Sequence, residues 1–141
     1  MSEVRASITI NAPIDDVWHL IMDASRLHEW VTIHRRLVES DKTSMTQVMS
    51  LRGAHFTVHW ELTASDPPRH DSWRGRGPAH STAEIDYTLT SVGDATRFDY
   101  RNMFKAPGGL LGAVASRALV GGIPEREAHA SLARLKSLLE Q

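Results

Sequence analysis

Between Trp30 and Ala106 apolar residues recur at every second position, and turn-forming residues interrupt them at short intervals. A period of two sustained over that length predicts strand after strand joined by tight turns, which is an antiparallel meander. The turns fall at Ser40-Asp41-Lys42-Thr43, Arg52-Gly53-Ala54, Asp66-Pro67-Pro68-Arg69, Gly77-Pro78 and Val92-Gly93-Asp94, leaving six strands. A further strand comes first, because Val4 to Ile10 alternates in the same way and stops at Asn11-Ala12-Pro13.

Two short helices separate that strand from the meander. Proline suits a first helical turn and acidic residues suit a helix N-terminus, so Pro13 to Met22 reads as a helix with Asp15 and Asp16 near its start. Ile14, Val17, Trp18 and Ile21 form its apolar face. The second helix runs from about Ser25 to Trp30, with Asp23 or Ser25 as cap. After Pro107-Gly108-Gly109 the helical period returns. Leu110, Leu111, Val114, Ala118 and Leu119 make one stripe, and Leu132, Leu135, Leu138 and Leu139 make a second. Gly121-Gly122 and Pro124 between them predict a kink, or a break and restart. The order is β-α-α-β6-α, an α+β chain. A lone antiparallel sheet has an apolar face that something must cover, and the C-terminal helix is the element long enough to do it.

Composition narrows the function classes. The 141 residues, 41% hydrophobic and 23% charged, match one domain spanning 1–141. Zero cysteine excludes a disulfide scaffold, a thiol nucleophile and a cysteine-based zinc site. Sixteen basic and seventeen acidic side chains offer no large positive field, so nucleic acid is not an expected partner. Charges within Met1-Ser2-Glu3-Val4-Arg5, with no signal-length apolar run behind them, predict a cytoplasmic protein. The stretch from Pro107 to Pro124 holds Arg117 and five glycines, too short and too broken for stable membrane insertion. Monomer and homodimer are both compatible with the sequence.

Strand alternation separates two faces. In His55 to Thr63 the even positions Phe56, Val58, Trp60 and Leu62 are apolar and the odd ones polar. Ile85, Tyr87 and Leu89 oppose Glu84, Asp86 and Thr88, and Phe98, Tyr100, Asn102 and Phe104 oppose Arg97, Asp99 and Arg101. Arg74, Arg76, Glu84, Asp86, Arg97, Asp99 and Arg101 therefore share an outer face, where opposite charges can pair across strands. The inner face presents Phe56, Trp60, Trp73, Phe98 and Phe104, with Tyr87, Tyr100, Asn102 and Gln47 as its polar groups. Such a face describes either a solid core or the lining of a small-molecule pocket.

Several stretches together resemble the START-like superfamily of helix-grip proteins, in the polyketide cyclase/dehydrase or SRPBCC branch. They are Ile10-Asn11-Ala12-Pro13-Ile14-Asp15-Asp16-Val17-Trp18, Asp23 through Trp30, Asp66-Pro67-Pro68-Arg69 before Trp73-Arg74-Gly75, Gly93 through Arg101, and the closing Leu132 through Glu140. The resemblance implies a seven-stranded antiparallel sheet gripping a long C-terminal helix, with a deep cavity between them for an apolar ligand. The shared motifs concern turns and packing, so it carries over no catalytic residue. On this reading the ligand-contacting candidates on the strands are Met49, Phe56, Val58, Trp60, Trp73, Tyr87, Phe98, Tyr100, Asn102 and Phe104. Trp30 joins them from the second helix, and Leu111, Val114 and Ala118 from the covering helix.

Other chemistry finds little support. His55 and His59 have the spacing of a helical metal pair, but in a strand their rings stand about 13 Å apart, too far to share an ion, and on the polar set. No metal site and no cofactor are expected. His28, His34, His70 and His80 fall at element ends or loops, where solvated histidines are common. Gly108-Gly109 and Gly121-Gly122 lack the neighbours of a dinucleotide motif and fit a turn, a close helix approach or a flexible cavity entrance. The phase of Val31 to Glu39 is ambiguous: either His34 and Arg36 or Arg35 and Glu39 face the cavity mouth. The expected function is carriage or sensing of a small, largely neutral apolar molecule of lipid, isoprenoid or polyketide type. The alternatives are cyclisation or dehydration of a bound polycarbonyl chain, with Tyr87, Tyr100 or Asn102 polarising a carbonyl, and a regulatory interaction domain with a filled interior.

Overall fold

The alternating segments pair into one continuous sheet. The computed structural model describes residues 2–51, 53–105 and 123–141. Its strands are β1 (Ser2–Ile10), β2 (His34–Ser40), β3 (Ser44–Leu51), β4 (Ala54–Asp66), β5 (His70–Arg76), β6 (Thr82–Val92) and β7 (Ala95–Lys105). They form one antiparallel sheet in the order β1-β7-β6-β5-β4-β3-β2. Every sequence-predicted turn in the meander falls between two of these strands. Because β1 and β2 lie on opposite edges, the segment between them carries the chain across the sheet. It holds α1 (Ile14–Ile21) and α2 (Leu27–Trp30).

The local chemistry of these helices follows the sequence with small shifts. Pro13 is the residue before α1, in extended conformation, rather than its first helical residue; Asp15 and Asp16 occupy the first turn. Val17, Trp18, Leu20 and Ile21 are buried. A single 3-10 turn, Ala24–Arg26, precedes α2, and Asp23 caps it by accepting from the Ser25 N–H at 3.0 Å. The last helix, α3 (Ile123–Leu139), buries Ala128, Ser131, Leu132 and Leu135 at helical spacing. Leu132 and Leu135 are essentially inaccessible, each contributing about 1.5–3 kcal/mol by leaving water. The predicted stripe Leu110, Leu111, Val114, Ala118 and Leu119, and the Gly121-Gly122 break, lie outside the described residues.

Hydrogen bonds fix α3 against both ends of the crossover. Lys136 Nζ donates to the Thr9 carbonyl at 2.8 Å, and Glu140 Oε2 accepts from the Asn11 N–H at 2.8 Å. Ser131 Oγ accepts from the Thr32 N–H at 3.0 Å. The core thus lies between α3, α1, α2 and the β1–β7–β6 side of the sheet.

The sheet is not regular at its far side. In β2 the partners facing inner-face residues Met49, Gln47 and Met45 are His34, Leu37 and Ser40, because bulges interrupt the register between His34 and Arg36 and between Leu37 and Glu39. These bulges account for the ambiguous phase in the sequence: His34 turns inward while Arg35, Arg36 and Glu39 are exposed. A further bulge, between Leu62 and Ala64, brings Asp71 opposite Ser65. Across the outer face the predicted charge ladder forms, with Arg74 to Glu84 at 3.5 Å, Arg101 to Asp86 at 3.6 Å and Arg101 to Glu3 at 3.1 Å. Exposed pairs of this kind add only tenths of a kcal/mol each.

One glycine is required by packing. The Trp60 ring lies across Gly75 on the neighbouring strand, so a Cβ there would sit 2.6 Å from the ring. Gly75→Ala is expected to lower stability by about 1–3 kcal/mol in urea unfolding, the usual cost of overpacking. Gly75→Ala combined with Trp60→Leu is expected to show a smaller loss than the sum of the two single changes.

Candidate functional site

The inner face of the sheet divides into two clusters. Toward β1, β6 and β7, buried Trp30, Leu89 and Phe98 pack beneath α3, with half-buried Tyr87, Tyr100 and Phe104 against them. The rings form a connected group: Trp30–Tyr87 centroids are 6.2 Å apart, Trp30–Phe98 6.5 Å, Tyr87–Phe98 5.3 Å and Tyr87–Tyr100 5.9 Å. Toward β3, β4 and β5, buried Met49, Val58 and Trp60 pack with Ile33, Met45, Phe56, Trp73, Ala83 and Ile85. Among the described residues no helical side chain belongs to this second cluster. The strand candidates named from sequence therefore all fall on the inner face, divided between the two groups, and Asn102 joins them by register opposite Ile85. Leu111, Val114 and Ala118 lie outside the described residues.

Polar groups on this face are few and ordered. Trp60 Nε1 donates to Gln47 Oε1 at 2.9 Å, and Gln47 Nε2 lies 2.7 Å from His34 Nδ1. An amide nitrogen can only donate, so His34 Nδ1 accepts and its proton resides on Nε2. Burial, aided by nearby His28, lowers the His34 pKa and favours that neutral ring. His34 is thus no solvated end-of-strand histidine. The bulged register turns it inward, where Gln47 holds it. His55 and His59 are exposed, as their odd positions predicted, and His59 Nδ1 pairs with Thr46 Oγ1 at 3.0 Å.

Asp71 is the residue that the sequence reading overlooked. It is fully buried, and Trp73 Nε1 donates to its Oδ2 at 2.6 Å. Its Oδ1 has no hydrogen-bond partner among the described residues. The signal was available: Trp73 and Gly75 face inward, so the same period of two turns Asp71 inward as well. The expected inner face, polar only at Tyr87, Tyr100, Asn102 and Gln47, accordingly gains an ionisable group. Burial pushes the Asp71 carboxyl up to about 6, outweighing the Trp73 hydrogen bond and the pull of His70, with Asp86 adding a smaller upward push. Burial also drives Tyr100 up to about 12 and Tyr87 well above its ordinary value. Both tyrosines are proton donors at neutral pH, whereas Asp71 can hold or release a proton there.

An antiparallel sheet closed over a C-terminal helix, with an aromatic inner face carrying isolated polar groups, defines the helix-grip class of the START-like, SRPBCC superfamily. Within it, the chain belongs to the family described as polyketide cyclase / dehydrase and lipid transport, which matches residues 1–140. The Mycobacterium tuberculosis protein Rv1546 is 26% identical over 131 residues, covering 87% of this chain and 92% of that protein. A conserved protein from Geobacillus kaustophilus superposes with a TM-score of 0.81 at 20% identity, over 99% of this chain and 95% of that one. The Zhui aromatase/cyclase from Streptomyces sp. R1128 does so with a TM-score of 0.76 at 18% identity, over 99% and 93%. Identities this low establish the shared fold. Among the described residues, no helix is long and apolar enough to cross a membrane.

The Asp71 carboxyl has a direct consequence for stability. Unfolded, it releases its proton near the ordinary value of 3.8; folded, near 6. Between those values the folded state holds the extra proton, so this group's stabilisation is complete below about pH 4 and is lost as pH rises through 6. Two pK units correspond to about 3 kcal/mol as an upper figure. Asp71→Asn is expected to remove this loss and to be more stable than the parent at neutral pH, read from urea unfolding at both ends of the interval.

Proposed function

We propose that this chain binds a small, largely neutral apolar molecule of lipid, isoprenoid or polyketide type on the inner face of its sheet. The observation that carries this reading is the second cluster. Met49, Phe56, Trp60, Trp73 and Ile85 form an aromatic and thioether surface whose partners within the cluster are strand residues and Ile33, and Met45 joins this surface to the first cluster. Methionine and aromatic side chains adapt to apolar partners of varied shape at little cost. Two polar anchors flank that surface, His34 with Gln47 on one side and Asp71 with Trp73 on the other. The family description, which joins cyclases to lipid transport, supports the same reading.

A second reading, cyclisation or dehydration of a bound polycarbonyl chain, is favoured by one observation: a buried carboxyl whose pKa of about 6 suits proton transfer near neutrality, opposite Tyr87, which can donate to a carbonyl. On that reading, turnover of a poly-β-carbonyl substrate falls in Asp71→Asn with the fold intact; unchanged turnover removes Asp71 from the reaction.

Binding is tested by thermal denaturation with a panel of fatty acids, isoprenoid alcohols and polycyclic phenols. At a hundred times its dissociation constant a ligand adds about 2.7 kcal/mol. For a chain of this size that raises Tm by on the order of 10 °C. Phe56→Ala is expected to reduce the shift, and a panel without any shift overturns the reading.

A further inference from the structure

Three buried polar atoms lack partners among the described residues: Asp71 Oδ1, Asn102 Oδ1 and Trp30 Nε1. All three belong to residues of the inner face or packed on it. Register sets Asp71 opposite Tyr87 and Tyr87 opposite Tyr100. Asn102 follows Tyr100 on the same face of β7, and the Trp30 ring lies 6.2 Å from Tyr87. Native interiors leave few such atoms unmet, and three on one apolar face require an account. Two are acceptors and one is a donor, so the face offers both kinds of hydrogen-bond partner. Asp71 is also preorganised: Trp73 holds Oδ2 at 2.6 Å, which fixes the carboxyl plane and leaves Oδ1 unmet.

We propose that Asp71 is a specificity-determining residue, whose Oδ1 accepts the O–H of a flat, otherwise apolar ligand carrying an acidic hydroxyl, a phenol or enol. The inference rests on the apolar-ligand reading and names the polar group that such a ligand carries. A flat ligand suits the aromatic neighbours: Tyr87, opposite Asp71, packs with Tyr100 at 5.9 Å between ring centroids and 33° between ring planes. An acidic hydroxyl follows from the acceptor, because hydrogen bonds to an ionised carboxylate are about twice as strong as neutral ones.

The same pairing makes recognition depend on pH. The groups around Asp71 are Trp73 and His70 on its own strand, Asp86 and Tyr87 on β6, and Ser65 on β4. His70 Nε2 and Asp86 Oδ1 stand 3.4 Å apart, and the two residues act on the Asp71 carboxyl in opposite directions. A donated O–H favours the ionised carboxyl. Preference for the hydroxyl ligand therefore rises as pH passes upward through about 6, and binding near that pH releases a proton.

Calorimetric titration of 2-naphthol against 2-methoxynaphthalene, at about pH 5 and about pH 7.5, tests this on the full chain. The parent protein is expected to prefer the naphthol at least about tenfold at the higher pH and only a few-fold at the lower. Near pH 6 the naphthol binding heat is expected to vary with the ionisation enthalpy of the buffer, reporting the released proton. D71N is expected to lose both the hydroxyl preference, read as the ratio of its affinities for the two compounds, and the pH dependence of that ratio. Should D71N lose its fold, the parent's pH pair and proton release decide alone. Equal affinity of the parent for the two compounds overturns the role of Asp71 and leaves the apolar-ligand reading standing. Binding of neither compound overturns that reading and this inference together.

Discussion

A single antiparallel sheet with one dry side cannot exist uncovered in water, and the covering of that side by α3 is the constraint from which the rest of this structure follows. Ala128, Leu132 and Leu135 supply the apolar contact, while Lys136 and Glu140 reach the end of β1 and Ser131 reaches the chain beyond α2. These contacts place α3 over the β1–β7–β6 side. The crossover helices have to span the sheet because β1 and β2 occupy its opposite edges. Trp30, at the end of α2, is thereby delivered to the aromatic group of β6 and β7.

The cost of function is visible in the polar atoms that this arrangement buries. A core built for stability alone has no use for a carboxyl at Asp71, since an apolar side chain of similar volume would avoid desolvating it. Its position beside Trp73 and opposite Tyr87, on a face otherwise made of rings, thioethers and aliphatic groups, makes that face asymmetric, with hydrocarbon over one region and an unmet acceptor in another, and the proposed ligand recognition rests on this asymmetry. The Gln47 amide has a parallel role on the other side, joining Trp60 to His34 so that both ring orientations are fixed.

Most of the architecture was legible because it rests on local rules. Alternation in 55–63, 83–89 and 97–104 specified which side chains face inward, and Pro, Gly and Asp at the turns specified where strands end. The need to bury one apolar face already pointed to the C-terminal helix as the cover, and the superfamily resemblance pointed to the same arrangement. What escaped was the set of residues governed by register across strands rather than along them. His34 faces inward because bulges shift β2, and no pattern within 31–39 records a bulge whose partner lies on β3. Asp71 escaped for a different reason: its phase was readable from Trp73, but a lone acid at the start of a strand also fits a solvated turn, and only the fold shows it sealed from water.

The irregular pairing of β2 has an outcome beyond its own side chains. This strand is an outer margin of the sheet, and two interruptions within seven residues break the row of backbone donors and acceptors that a neighbouring molecule would match. Two copies approaching side by side along this margin find no continuous template on which to zip together, so a chain with a greasy interior and an open-edged sheet is guarded there against growing into fibres.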